Sequence, residues 1–270
     1  MKKLLLRHFP FLYKWRVRQL RLKRHLQNLD PRLRFALERS PVSLPHVAHK
    51  HKSVLRRVLA GTHPQLQENK ITNLQICLET LDGIQIAPGE TFSFWRLTGQ
   101  PTAAKGYIEG LQLANGRVTT GTGGGLCQMA NLLFWLALHT PLEIRERHHH
   151  SFDLFPDDRR VIPFGSGTSV AYNYVDLRLH NPTELTFQYR LWLSEEFLEG
   201  TIRTDRPLAF RYRIEERNHR FYEEKGRWYR ENEIWRLTLD PQNGDLLSST
   251  LLLRNKAEVR YQVSAAAGAG

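Results

Sequence analysis

A chain of 270 residues with 41% hydrophobic and 24% charged residues is long enough for one substantial core and too apolar for bulk disorder. Its net charge of +12 sits at one end: residues 1–60 hold 16 Lys and Arg against Asp30 and Glu38, a net of +14, while the remaining 210 carry 23 basic and 25 acidic residues. That asymmetry excludes a uniformly basic nucleic-acid-binding domain, and it predicts contact between the N-terminus and an anionic surface.

Residues 1–30 interleave Phe, Leu, Trp and Tyr with Lys and Arg. A helix is expected from Phe11 onward, with Leu12, Trp15, Leu22 and Leu26 among its apolar residues. Two readings are open. The helix lies on an anionic membrane surface, or it packs on the body with its charges in water. Lys2 and Lys3 precede only three leucines before Arg7, short of the apolar run of about 7–15 residues in a secretory signal. Nothing approaches the roughly 18 residues of a membrane-crossing helix. Two cysteines, Cys77 and Cys127, make no disulfide framework. A reduced, cytoplasmic chain is expected, with the inner face of the membrane as its site of any peripheral contact.

Residues 31–68 are rich in proline and are predicted to form two short helices, over Arg32–Arg39 and Val54–Leu59. His46, His49, His51 and His63 match no ligand spacing and read as solvated loop histidines. From Lys70 to Phe94 the pattern reads as strands, with Cys77 a small core residue and turns at Asp82–Gly83 and Pro88–Gly89. Arg117–Thr120 reads as a short strand feeding a glycine loop.

The stretch TGTGGGLCQMANLLFWLALH, residues 120–139, is the centre of the pattern. Its second half is apolar on almost every side, as in a helix buried all round. The glycines permit a sharp turn into it. Cys127 then falls in the first helical turn, where the helix dipole favours thiolate. After Pro141, Leu142–Arg147 reads as a strand running into His148, His149 and His150. The charged loop 152–168, with Asp153, Asp157, Asp158, Arg159 and Arg160, reads as a lid or as a solvated loop. Strands are predicted at Ser169–Leu179, Phe187–Leu193 and Gly200–Thr204. Beyond Pro207 the chain reads as hairpins, with turns at Lys225–Gly226 and Asn243–Gly244. Tyr222, Trp228 and Tyr229 pack across strands or line a binding face.

The expected fold is α+β: a mainly antiparallel sheet packed around one buried helix, with a helical basic N-terminus and a β-rich C-terminal extension. The expected divisions are a basic helical segment at 1–65, an α+β core at 66–200 and a hairpin extension at 201–270.

Three stretches carry a resemblance: PGETFSFW at 88–95, GGGLCQMANLLFWLALHTPLEIRERHHHS at 123–151 and VDLRLHNPTELTFQY at 175–189. Together they resemble the VanW family, and the basic opening with FPFL at 9–12 resembles its stand-alone members. The family is named for an accessory gene of glycopeptide (vancomycin) resistance clusters. The resemblance implies a role in that resistance or in cell-envelope metabolism, with a peptidoglycan precursor or related envelope peptide as the ligand. It implies no reaction.

The residues themselves offer a chemistry. Cys127 opens a helix, His148 and His150 share a strand face two residues apart, and Asp176 lies on the next predicted strand. Cysteine, then histidine, then aspartate is the order of papain-like and transglutaminase-like thiol enzymes, in which histidine takes the thiol proton and a carboxylate orients the imidazole. Gly124 and Gly125 would supply backbone oxyanion donors, and Gln128 or Asn131 a side-chain donor. That reading predicts a thiol hydrolase or transpeptidase acting on an envelope peptide, without a cofactor. A non-catalytic binding module is the rival, with Cys127 as inert packing. A zinc site from Cys127, His148, His150 and Asp176 is a third option, although no C-x-x-C or H-E-x-x-H spacing supports it. GTGGGLCQ lacks the Lys–Ser/Thr of a phosphate-binding loop.

Overall fold

A computed structural model describes residues 10–56, 63–114, 117–149, 152–154 and 161–263. The first described element is α1, Pro10–Gln27. Then come β1 (Arg34–Phe35), β2 (His46–Val54) and α2 (Gln65–Leu81). β3 (Gln85–Ile86), β4 (Glu90–Ser93) and the short α3 (Phe94–Thr98) lead to the hairpin of β5 (Glu109–Ala114) and β6 (Arg117–Thr122). α4 (Leu126–Leu138) precedes β7 (Glu143–Glu146), β8 (Phe152–Asp153) and β9 (Arg178–His180). β10 (Phe187–Leu193) and β11 (Phe197–Thr204) complete the central sheets. Three long strands close the chain: β12 (Arg211–Glu224), β13 (Arg227–Leu239) and β14 (Leu246–Val259).

The fold is α+β, and most strand pairs are antiparallel. The sheets are ordered β1-β4-β9-β7, β2-β11-β10-β3 and β12-β13-β14-β8, beside the β5-β6 hairpin. α4 is the buried helix, with Met129, Ala130, Leu133, Phe134 and Leu136 at 0% exposure. It packs against β2, β11 and α2. The Tyr189 hydroxyl on β10 donates to the Leu133 carbonyl at 2.9 Å. A β-carbon at Gly200 would lie 3.2 Å from Leu136, so bare backbone lets sheet and helix close together. Each buried Leu or Phe here contributes about 1.5–3 kcal/mol of transfer free energy.

Several predicted elements change. Residues 70–81 are helical in α2, not strands; Leu74, Cys77, Leu78 and Leu81 recur at helical spacing and are buried. The expected Arg32–Arg39 helix is β1 with irregular flanks, and Val54 ends β2, while residues 57–59 of the second expected helix lie outside the described residues. His46, His49 and His51 are strand residues paired with β11, not loop histidines. Of the expected Ser169–Leu179 strand only Arg178 and Leu179 join a ladder, as part of β9, with an isolated bridge between Ala171 and Val175 before them. Asp153 lies in β8 and is buried beside Arg230, while residues 155–160 of the expected lid lie outside the described residues.

The long hairpins are fixed to the centre by polar side chains. Arg230, 2% exposed, meets Asp153 at 3.2 Å beneath the Phe164 ring. Arg147 donates to Asn255 at 3.1 Å, and Asn232 to the Phe164 carbonyl at 2.7 Å. Tyr222 and Tyr229 stand opposite each other across the Lys225–Gly226 turn with ring centroids 5.7 Å apart.

Candidate functional site

The glycine loop is built by close approach of backbones. A β-carbon on Gly124 would fall 2.0 Å from the Gly110 carbonyl carbon, and Gly124's own carbonyl accepts the Asn73 amide at 2.9 Å. Gly125 is the N-cap of α4 at φ +96°, where a β-carbon would meet Lys70 Cγ at 2.1 Å. Its carbonyl accepts the Gln128 N–H at 2.9 Å. The side chains expected as oxyanion donors hold neighbouring chain instead. Gln128 Nε2 donates to Ser53 Oγ and to the Val54 carbonyl, each at 2.9 Å. Asn131 Oδ1 accepts the Thr168 N–H at 2.6 Å.

Cys127 lies in the first turn of α4, as the sequence indicates, and is half-buried. Its Sγ faces the Val170 carbonyl at 3.9 Å. Burial pushes the thiol above its ordinary value, and the bonds to the Val170 carbonyl and to Cys127's own backbone lower it only in part. Burial thus works against the expected helix-start thiolate. The extended segment at 168–170 separates Cys127 from His148. Its Ser169 N–H donates to the His148 carbonyl at 2.7 Å, and its Val170 carbonyl turns to the sulfur.

Of the expected partners, His148 and Asp176 belong to a second polar centre. His148 is exposed and pairs through Nε2 with Glu146 Oε1 at 3.0 Å, not with Asp176. Asp176 is fully buried, and both of its oxygens are committed. Oδ2 accepts Ser93 Oγ at 2.5 Å and Arg178 Nε at 3.2 Å; Oδ1 accepts the Trp95 and Leu177 N–H groups at 3.1 and 2.9 Å. Burial pushes its carboxyl up, partly offset by the bonds from Ser93 and Trp95 and by Arg178. Thus Asp176 anchors the start of α3 to β9 and does not orient an imidazole. His150 lies outside the described residues, so the structure gives it no position.

The carboxylate that gathers cations is Glu146, which the sequence reading passed over. Arg24 of α1 meets it bidentately at 2.6 Å on each oxygen, Arg178 Nε lies at 3.7 Å, and the Asp176 N–H donates at 3.1 Å. Burial alone would raise this carboxyl, but hydrogen bonds from His148 and Arg24 win and hold it at about 2. Strand alternation could have found it, because Glu146 and His148 share a face two residues apart. The three stretches that carry the family resemblance meet in this centre: Ser93 and Trp95 from the first, Glu146 and His148 from the second, Asp176 and Arg178 from the third.

A third set lies at the far end of α4. The His49 and His139 rings stack 3.5 Å apart with an interplanar angle of 4°, and Trp135 stands edge-on to His139 at 4.9 Å. Burial lowers His49 to about 3, with His139 and His51 adding repulsion, and lowers His139 to about 4. Two neutral rings can stack so closely; two imidazolium ions would repel. Among the described residues no group of three or more His, Cys, Asp or Glu side chains is arranged to hold a metal ion. The expected zinc ligands do not converge either, since Cys127 faces Val170 and Asp176 faces Ser93 and Arg178.

Comparison with known proteins gives a consistent picture. The family model described as VanW like protein matches residues 69–203. The chain is 33% identical over 260 residues to the vancomycin B-type resistance protein VanW of Enterococcus faecalis, covering 96% of this chain and 94% of that one. It is 29% identical over 109 residues to the uncharacterized protein YoaR of Bacillus subtilis, covering 40% of this chain and 34% of that one. No solved structure gives a significant match.

Proposed function

The chain belongs to the VanW family, and from that premise we propose that it acts in vancomycin resistance as a binding protein: it holds a peptidoglycan-related peptide or precursor near the start of α4 and does not cleave it. The resistance setting rests on the name of the E. faecalis relative, whose likeness runs the length of both chains. The non-catalytic reading rests on one observation: Cys127 Sγ faces the Val170 carbonyl in surroundings whose burial favours the thiol form, while His148 and Asp176, two of the residues expected to activate it, are tied to Glu146 and to Ser93 and Arg178. A nucleophilic cysteine needs a base within hydrogen-bond reach or a lowered pKa.

Iodoacetamide labelling across pH 6–10, with the Cys127 peptide followed by mass spectrometry, tests this. The expected labelling rate climbs only above the ordinary thiol value of about 8.5, and Cys127→Ala leaves resistance intact. A rate already at its plateau at pH 7, with resistance lost in both Cys127→Ala and Cys127→Ser, would overturn the binding role and restore a thiol enzyme.

A further inference from the structure

Among the described residues the outer face of α1 has no partner. Phe11, Trp15, Leu22 and Leu26 are 74%, 53%, 60% and 62% exposed. At 100° per residue these four fall within about 60° of arc, a single stripe roughly 22 Å long. Leu29, just past the helix end, extends the stripe. At its lower end Leu26, Leu29 and Leu33 line an open hollow of about 680 Å³.

The opposite face fixes the helix to the body. Arg24 grips Glu146 bidentately, Arg178 donates to Asn28, and Arg21 donates to the Tyr172 carbonyl while lying over the Tyr172 ring at 4.9 Å. The stripe is therefore held pointing away from the protein and is not free to roll inward. Lys14, Arg16, Arg18 and Lys23 are exposed along its two flanks, and Pro10–Gln27 contains no acidic residue. Lys2, Lys3 and Arg7 precede it in the sequence.

We infer that α1 lies flat on an anionic phospholipid bilayer, with Phe11, Trp15, Leu22 and Leu26 among the acyl chains and the flanking Lys and Arg at the phosphate level. Charge decides the occupant. The cations bracket the apolar stripe on both sides, as headgroups bracket acyl chains, and they belong to an N-terminal segment of net +14 on a body of net −2. A protein groove would need to be acidic along both rims and apolar between them over the same length. Among the described residues no helix is long and apolar enough to cross a membrane, so this contact is in-plane. It places the centre around Glu146, one Arg24 side chain away, beside the membrane surface.

Co-sedimentation of the full chain with vesicles tests the inference. The protein is expected to pellet with phosphatidylcholine vesicles containing about one-third phosphatidylglycerol, and at least about tenfold less with pure phosphatidylcholine. Leu22→Glu/Leu26→Glu is expected to lose at least about tenfold in binding with an unchanged melting temperature, because both side chains are exposed. Lys14→Glu/Arg18→Glu, which leaves the stripe intact, is expected to weaken binding and its salt dependence together. Equal pelleting of the Leu22→Glu/Leu26→Glu variant and the parent would overturn the inference. So would a dimer in solution that this variant abolishes while the parent ignores anionic vesicles, since the stripe would then belong to a second copy.

Discussion

Two polar centres lie on either side of the 168–170 segment, and they are built on opposite principles. Around Cys127 the chemistry-bearing residues are few, and the glycines serve packing: Gly124 touches Gly110 and Gly125 touches Lys70. Around Asp176 and Glu146 the charged groups are many, and nearly every lone pair has a donor. The first centre resembles a site in sequence and is close-packed backbone in space. The second is scattered over residues 24 to 178 in sequence and is a cross-brace of four segments in space. A spacing typical of catalysis and a set of convergent side chains are thus different signals, and only the second fixes protonation states.

The comparison breaks most sharply at Asp176. Asp176→Ala removes the acceptor of two backbone N–H groups, a serine hydroxyl and Arg178, and leaves a buried guanidinium short of a partner. The expected loss is about 3–5 kcal/mol, measured as a shift in the urea unfolding midpoint. An unchanged midpoint would show that the carboxylate is a reserve for chemistry and not a brace. On the other side, Gly124→Ala forces a methyl group against the Gly110 backbone, which cannot rotate out of the way as a side chain could. The expected cost is about 3 kcal/mol in the same measurement. A neutral outcome would mean that the close approach of Gly124 to Gly110 does not shape the turn into α4.

The sequence revealed α4 because a helix apolar on every side has only one place to go, and Phe187–Leu193 because its run fits a buried strand. It concealed α2, whose Ile71, Thr72 and Ile76 favour strands locally, while Leu74, Cys77, Leu78 and Leu81 fit the core only as a helix. It concealed β2 for the converse reason. The face of β2 toward α4 is His49, His51 and Ser53, which meet His139, Trp135 and Gln128, and no hydrophobic alternation marks a strand whose inner face is imidazole. At the candidate site, the position of Cys127 at a helix start was legible because glycines announce turns. The partners were not. Which carboxylate a histidine meets depends on strand order, and β7 pairs with β9 in a register that sets Glu146 opposite Arg178. Arg24 joins them from 122 residues away, a contact that no local spacing encodes.

Glu146 offers the finest test of the difference, through pH. Its carboxyl is held at about 2 in the folded protein against an ordinary 4.5, so the folded state favours the charged form. A depressed carboxyl contributes stability that is fully present above about 4.5 and fades as pH falls toward 2. Over pH 5 to 3 the contribution lost is about 2 kcal/mol, since the unfolded chain gains a proton that the folded chain still refuses. Glu146→Gln cannot titrate. The variant is expected to be less stable than the parent at pH 5, with the gap narrowing by about 2 kcal/mol at pH 3. Because Asp176 is present in both proteins, its opposite tendency cancels in the difference. The same pair applied to Cys127→Ala is expected to give a gap that does not move between pH 5 and 3, since a thiol pushed upward is protonated throughout. A gap that stays constant for Glu146→Gln as well would mean that Arg24 and His148 do not hold the carboxylate, and α1 would lose the anchor that points its apolar stripe outward.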